Sequence, residues 1–272
     1  MFTGINYFRD LALYYEKHEC YPYDDEYREI YNELNPPNSK TKIPVPFDAL
    51  PYYMQDFAKE QIARFVNGDS HGDTKLTGEH SLYLNVVQID RTVINSPGIH
   101  KNNPLHSRKV GRRVSAFPDF WDEDWRYFWA CDIARFGLET GKELERYKEL
   151  CRPCSLDLVE TVDNLSGGLD IFWLKPRGVG ASWKGGAKAN YNQFLVPDSN
   201  TFIMAETEPY LIGDGIFDKF NKIRSFIQGK CWFLSKQFYK ESLSEFEYST
   251  GLKKNVGGGT ITEGFSSTVS GL

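Results

Sequence analysis

Apolar side chains recur along this chain with two different periods, and the switches between them set the expected order of elements. Phe57, Ile62 and Phe65, with Glu60 and Arg64 between them, fall on one face of a helical repeat. They predict an amphipathic helix over Tyr52–Val66, closed by Asn67-Gly68. Upstream, aromatic-rich helical stretches are broken at Asn35-Pro36-Pro37-Asn38-Ser39, a turn composition. After the polar stretch Ser70–Thr77, the run Ser81–Ile89 has the alternation and β-branched content of a strand. Asn95–Arg113, rich in Pro, Gly, Asn and basic residues, is expected to be an exposed linker.

A helix should then open at the aromatic cluster Phe117–Trp129 and reach Gly137. Trp121, Trp125, Phe128 and Trp129 share one face at three- and four-residue spacing. Core packing is the ordinary role of such a face, although one ring near its start could still flank an adenine. A charged helix is expected over Glu139–Leu150, and the loop Leu165–Gly168 leads to the apolar run Ile171–Leu174. Next come a helix over Ser182–Gln193, stopped by Pro197, and a buried strand over Thr201–Ala205. Strand, helix and strand in that order predict a βαβ unit of a parallel α/β sheet. Gly257-Gly258-Gly259 is expected at a hairpin turn.

The connection inside that unit carries the chemistry. Lys175-Pro176-Arg177-Gly178-Val179-Gly180-Ala181-Ser182 is a basic, glycine-bearing turn between a strand and a helix. There, backbone N–H groups and the helix N-terminus favour an anion. Gly180 and Ser182 satisfy the general phosphate-loop pattern, whereas Lys175 stands at the first glycine and Ala181 at the usual lysine. The phosphate cation must therefore come from Lys175 or Arg177.

Composition narrows the class. With 272 residues, 40% hydrophobic and 15% aromatic, the chain can bury a sizeable core. Mean hydropathy is -0.49, and no apolar run approaches the roughly 20 residues of a membrane span. The start of the chain lacks a leader pattern, so a soluble intracellular protein is expected. The 32 basic and 37 acidic residues give a net charge of -5, which argues against indiscriminate coating of nucleic acid. A local DNA contact could use Arg108-Lys109-Val110-Gly111-Arg112-Arg113, for which a solvated loop is the ordinary explanation. The five cysteines suit a reducing compartment. Cys151 and Cys154 alone have metal-ligand spacing, and without a second pair they are expected to be free thiols.

Phe57–Gly68, the strand expected to begin at Gly78-Glu79-His80, the helix after Phe117–Asp122, and above all Lys175–Ser182 resemble the amino-terminal ATPase region of large terminase subunits of tailed bacteriophages. In that family the loop also begins with a basic residue and ends Gly-x-Ser/Thr. The resemblance implies an α/β P-loop NTPase of the additional-strand type with a parallel sheet. Residues 1–115 would be a mostly helical extension containing a short strand, and 116–272 the amino-terminal half of the ATPase domain. ATP and Mg²⁺ would be the cofactors, held by Lys175, Pro176, Arg177, Gly178, Val179, Gly180, Ala181 and Ser182, with the Ser182 hydroxyl on the metal. Double-stranded DNA, a portal protein and a small terminase subunit would be partners in the host cytoplasm, with no membrane.

No run of four apolar residues ending Asp-Glu is present to supply the Walker B acid, so the catalytic carboxylate is unassigned. Glu206 follows the wrong strand for that role. The acids of a two-metal nuclease are also missing. The expectation is an ATPase region cut short before Walker B, binding nucleotide weakly and turning it over poorly. Two alternatives remain: another P-loop NTPase such as a helicase, or a non-catalytic phage structural or interaction protein.

Overall fold

The computed structural model describes residues 5–39, 43–72, 74–93, 112–138, 165–166, 180–196, 200–205, 215–234, 237–241, 245–249 and 260–265. Helices α1 (Ile5–Phe8), α2 (Asp10–His18) and α3 (Asp24–Leu34) lead through a short 3₁₀ turn (Phe47–Ala49) to α4 (Tyr52–Asn67). The amphipathic spacing places α4 as expected, with Met54, Ala58, Gln61 and Phe65 turned inward. It ends at Gly68, whose φ of 88° and 2.2 Å clearance from the Leu76 carbonyl oxygen exclude any Cβ. The antiparallel pair β1 (Asp69–His71) and β2 (Thr74–Leu76) follows.

The strand expected over Ser81–Ile89 is instead mostly helix: α5 spans Gly78–Val86, and only Ile89 begins a strand. All nine residues of α5 are buried, so it has no solvated face to impose a helical period on the sequence. The Thr77 hydroxyl caps it by accepting from the His80 N–H at 3.2 Å. Asn85, the polar beat of the supposed alternation, is fully buried. Its amide donates to the carbonyls of Phe8 (2.7 Å) and Ser81 (3.0 Å), and its oxygen accepts from the Ala12 N–H (3.3 Å). Gly78 lets α5 cross α4 closely, since a Cβ there would lie 2.0 Å from the Phe65 oxygen.

Strand β3 (Ile89–Val93) pairs antiparallel with β4 (Arg112–Ala116), in register from Ile89–Ala116 to Val93–Arg112. The expected linker thus ends in a strand, and Arg112 and Arg113 are ladder residues. Helix α6 (Asp122–Phe136) follows the aromatic spacing. Strand β5 (Gly137–Leu138) pairs with β6 (Leu165–Ser166), where a loop was expected. Helix α7 (Ala181–Leu195) runs to β7 (Asn200–Ala205), then come α8 (Ile216–Lys230), β8 (Gln237–Glu241), β9 (Glu245–Ser249) and β10 (Thr260–Phe265). The last sheet is mixed, in the order β7-β10-β9-β8, with β7 and β10 parallel and the other pairs antiparallel.

One apolar core joins residues on both sides of position 115, from Leu11 and Tyr21 through Tyr83 and Phe128 to Phe220 and Phe233. No described helix is long and apolar enough to cross a membrane. The expected helix at 139–150, the apolar run 171–174, Cys151, Cys154, Glu206 and the turn at 257–259 lie outside the described residues.

Candidate phosphate-binding site

The phosphate-loop stretch meets the described structure at its last three residues. Gly180 has φ 71° and ψ 19°, the left-handed conformation, and caps α7 without a side-chain hydrogen bond. Open space surrounds the position of its absent Cβ, so the demand for glycine is conformational. The Gly180 carbonyl accepts from the Lys184 N–H at 3.0 Å, closing the first turn. The N–H groups of Ala181, Ser182 and Trp183 precede that bond and have no intrahelical acceptor. Ser182 is exposed in this turn. Lys175, Pro176, Arg177, Gly178 and Val179 lie outside the described residues.

Behind the turn sits a buried charge pair absent from the sequence expectations. Lys184, only 1% exposed, pairs with Asp124 of α6, itself 7% exposed. The Lys184 ammonium also lies 5.6 Å from the centre of the Tyr127 ring. Burial pushes the Asp124 carboxyl up, and the hydrogen bond from Lys184 opposes that shift. Lys184 is therefore engaged in the interior and does not face the start of α7 as a solvent-exposed cation.

His80 lies nearby, fully buried and stacked on Phe128 at 5.0 Å. Burial, then the Lys184 charge, lower its pKa from 6.5 to about 3. Neither ring nitrogen has a hydrogen-bond partner among the described residues.

One helical turn beyond Lys184, the Lys188 ammonium bridges both carboxylate oxygens of Glu79 at 2.9 and 3.1 Å, and Arg135 approaches Glu79 at 3.7 Å. Arg135 also donates to Asn192 (3.4 Å), whose amide donates to the Thr201 hydroxyl of β7 (3.4 Å). Lys184, Lys188 and Asn192, four residues apart, form a polar stripe tying α7 to α6, α5 and β7. The other side of α7 packs on α8. Asn190 donates to the carbonyls of Gly186 (2.8 Å) and Phe220 (3.0 Å), and Gly186 packs so closely on α8 that a Cβ there would lie 3.0 Å from the Phe220 backbone nitrogen.

No family model, curated protein or solved structure matches this chain.

Beside the first turn of α7, an open cleft of about 680 Å³ separates α8 from the β3–β4 hairpin. It is lined by Trp183, Asp218, Asn221 and Phe226 on the helical side and by Gln88, Asp90 and Ser115 on the other. Lys222 spans it to Asp90 at 2.9 Å. Of the aromatic face expected on α6, Trp125 and Phe128 are buried. The indole N–H groups of Trp125 and Trp129 both donate to the Lys75 carbonyl, at 2.8 and 3.1 Å, which assigns them to packing on β2. Trp121, the ring nearest the helix start, is 58% exposed. Among the described residues no cluster of three or more acidic, histidine or cysteine side chains could hold a metal.

Proposed function

We propose that this chain is the ATP-binding motor part of a tailed-phage large terminase, the machine that drives double-stranded DNA into a procapsid. The observation that carries the proposal is local. A helix starts within the basic Lys175–Ser182 stretch, Gly180 turns left-handed before it, and Ser182 stands exposed in its first turn.

In this reading the N–H groups of Ala181, Ser182 and Trp183 hold phosphate oxygens, and Lys175 and Arg177 supply the positive charge that Ala181 does not. The Ser182 hydroxyl would hold Mg²⁺, which would supply charge neutralisation at the phosphates. Among the described residues, the exposed Ser182 hydroxyl and the N–H groups in the first turn of α7 fit such a group. Catalysis would consist of positioning, and with no Walker B acid turnover by this chain alone is low. Portal protein and small terminase subunit are the proposed partners, and the host cytoplasm is the proposed compartment.

Thermal unfolding with and without MgATP tests the reading. Saturation at 100 times the dissociation constant adds about 2.7 kcal/mol, seen as a rise in Tm. Ser182→Ala should remove the Mg²⁺-dependent part of the rise, and joint substitution of Lys175 and Arg177 by alanine should remove most of it. No rise in the unaltered protein would favour the non-catalytic interaction protein.

A further inference from the structure

An aromatic, acidic face on the amino-terminal helices is built like a docking surface, and it stands whether or not the chain binds nucleotide. Tyr52 and Tyr53 open α4 and are 84% and 49% exposed. Beside them lies Tyr23, the residue before α3, whose ring meets Tyr53 edge-on at 5.2 Å and Phe57 at 5.4 Å. Tyr23 has φ 64°, a left-handed conformation rare for a bulky side chain. Phe47 of the 3₁₀ turn adds a fourth exposed ring, with the Lys59 ammonium 5.7 Å from its centre.

Carboxylates follow Tyr23 along α3. Helix α3 carries Asp24, Asp25, Glu26, Glu29 and Glu33 against the single Arg28. Arg28 is taken up by Asp24 at 2.7 Å, whereas Asp25 and Glu26 are exposed and form no ion pair among the described residues. On α4, Asp56 follows Tyr52 and Tyr53 by four and three residues and is paired with Lys59 at 3.7 Å.

We propose that this face binds a basic segment of a partner protein, with arginine or lysine side chains lying over the tyrosine rings and against Asp25 and Glu26. Charge complementarity selects that occupant. A cation gains from both the ring faces and the unpaired carboxylates. Nucleic-acid phosphate and anionic lipid headgroups would be repelled by the same carboxylates.

The test uses the full chain and a short dye-labelled peptide of alternating arginine and leucine, followed by fluorescence anisotropy. Its glutamate-for-arginine counterpart, a single-stranded oligonucleotide and phosphatidylglycerol vesicles are the competing probes. The arginine peptide should bind, more weakly as salt rises, and the other three should not. The double substitutions Tyr52→Ser/Tyr53→Ser and Asp25→Lys/Glu26→Lys should each reduce affinity about tenfold or more, while Asp122→Lys/Glu123→Lys on α6 should not. The charge variant alters only exposed side chains, so it keeps the test valid if the tyrosine variant folds poorly. Absent binding, equal binding by the two face variants and the unaltered protein, loss confined to the α6 variant, or preference for oligonucleotide or vesicles would overturn the proposal.

Discussion

His80 buries an imidazole whose two nitrogens have no hydrogen-bond partner among the described residues, against aromatic rings and close to the Lys184 charge. Its charged form is therefore excluded from the folded state until about pH 3. The unfolded chain takes up that proton near the ordinary 6.5, so between these values the unfolded state binds more protons and stability falls as pH falls. The contribution is about 1.4 kcal/mol per pH unit in that window. The raised carboxyls of Asp124 and Asp132 act in the opposite sense, since their folded forms hold protons longer. Comparing the protein with His80→Phe isolates the imidazole. The variant should gain about 2 kcal/mol relative to the unaltered protein on going from neutral pH to roughly pH 5, in urea melts. A constant difference across that range would refute the neutral, buried imidazole.

Lys184 shows the same local logic in ionic form. Two charges taken out of water must offset their desolvation largely through each other, so the pair specifies which side chain of α6 meets α7 more than it stabilises the fold.

Among elements, the α7–α8 contact depends on two adjacent glycines with different surroundings. A Cβ at Gly185 would meet only the Cδ1 end of the Ile216 side chain, at 2.6 Å, which can rotate away. At Gly186 it would press on the backbone of Lys219 and Phe220, at 3.2 and 3.0 Å. Gly185→Ala should therefore be close to neutral, because clash is offset by the roughly 1 kcal/mol helix preference of alanine. Gly186→Ala should lose about 1–3 kcal/mol, because it pushes the helices apart. Paired chemical denaturation curves check this, and equal effects would contradict the packing.

Helices α4, α6 and α7 were legible because each keeps the periodic face or terminal signals that solvent imposes. α5 was not: with every residue buried, its sequence holds no record of which side faces water, and a mixed apolar run imitated a strand. α8 is absent from the expected elements although Phe217, Phe220, Ile223 and Ile227 recur at helical spacing.

For the whole molecule, the core does not divide at position 115. Trp232 donates its indole N–H to the Pro22 carbonyl at 2.8 Å and stacks on Phe57 at 5.8 Å. Phe233 meets Tyr21 edge-on at 5.4 Å. The amino-terminal helices are thus sealed by side chains more than 200 positions later. A fragment ending at residue 115 would expose Tyr21, Phe65 and Tyr83 to water. It should show no cooperative thermal transition by near-UV circular dichroism, whereas the complete chain should show one; a sharp transition in the fragment would establish an independent amino-terminal unit.

The candidate site divides along the same line. By itself the sequence determined the glycine that turns left-handed at position 180 and the helix that leaves it, because conformational freedom at glycine and helix signals are encoded within a few neighbouring residues. Only the tertiary structure decided that Lys184 faces inward to Asp124, that Lys188 meets Glu79, and that α5 is a helix. Those outcomes depend on residues 60 or more positions apart sharing one low-dielectric interior, where an unpaired charge is costly and local spacing carries no information about its partner.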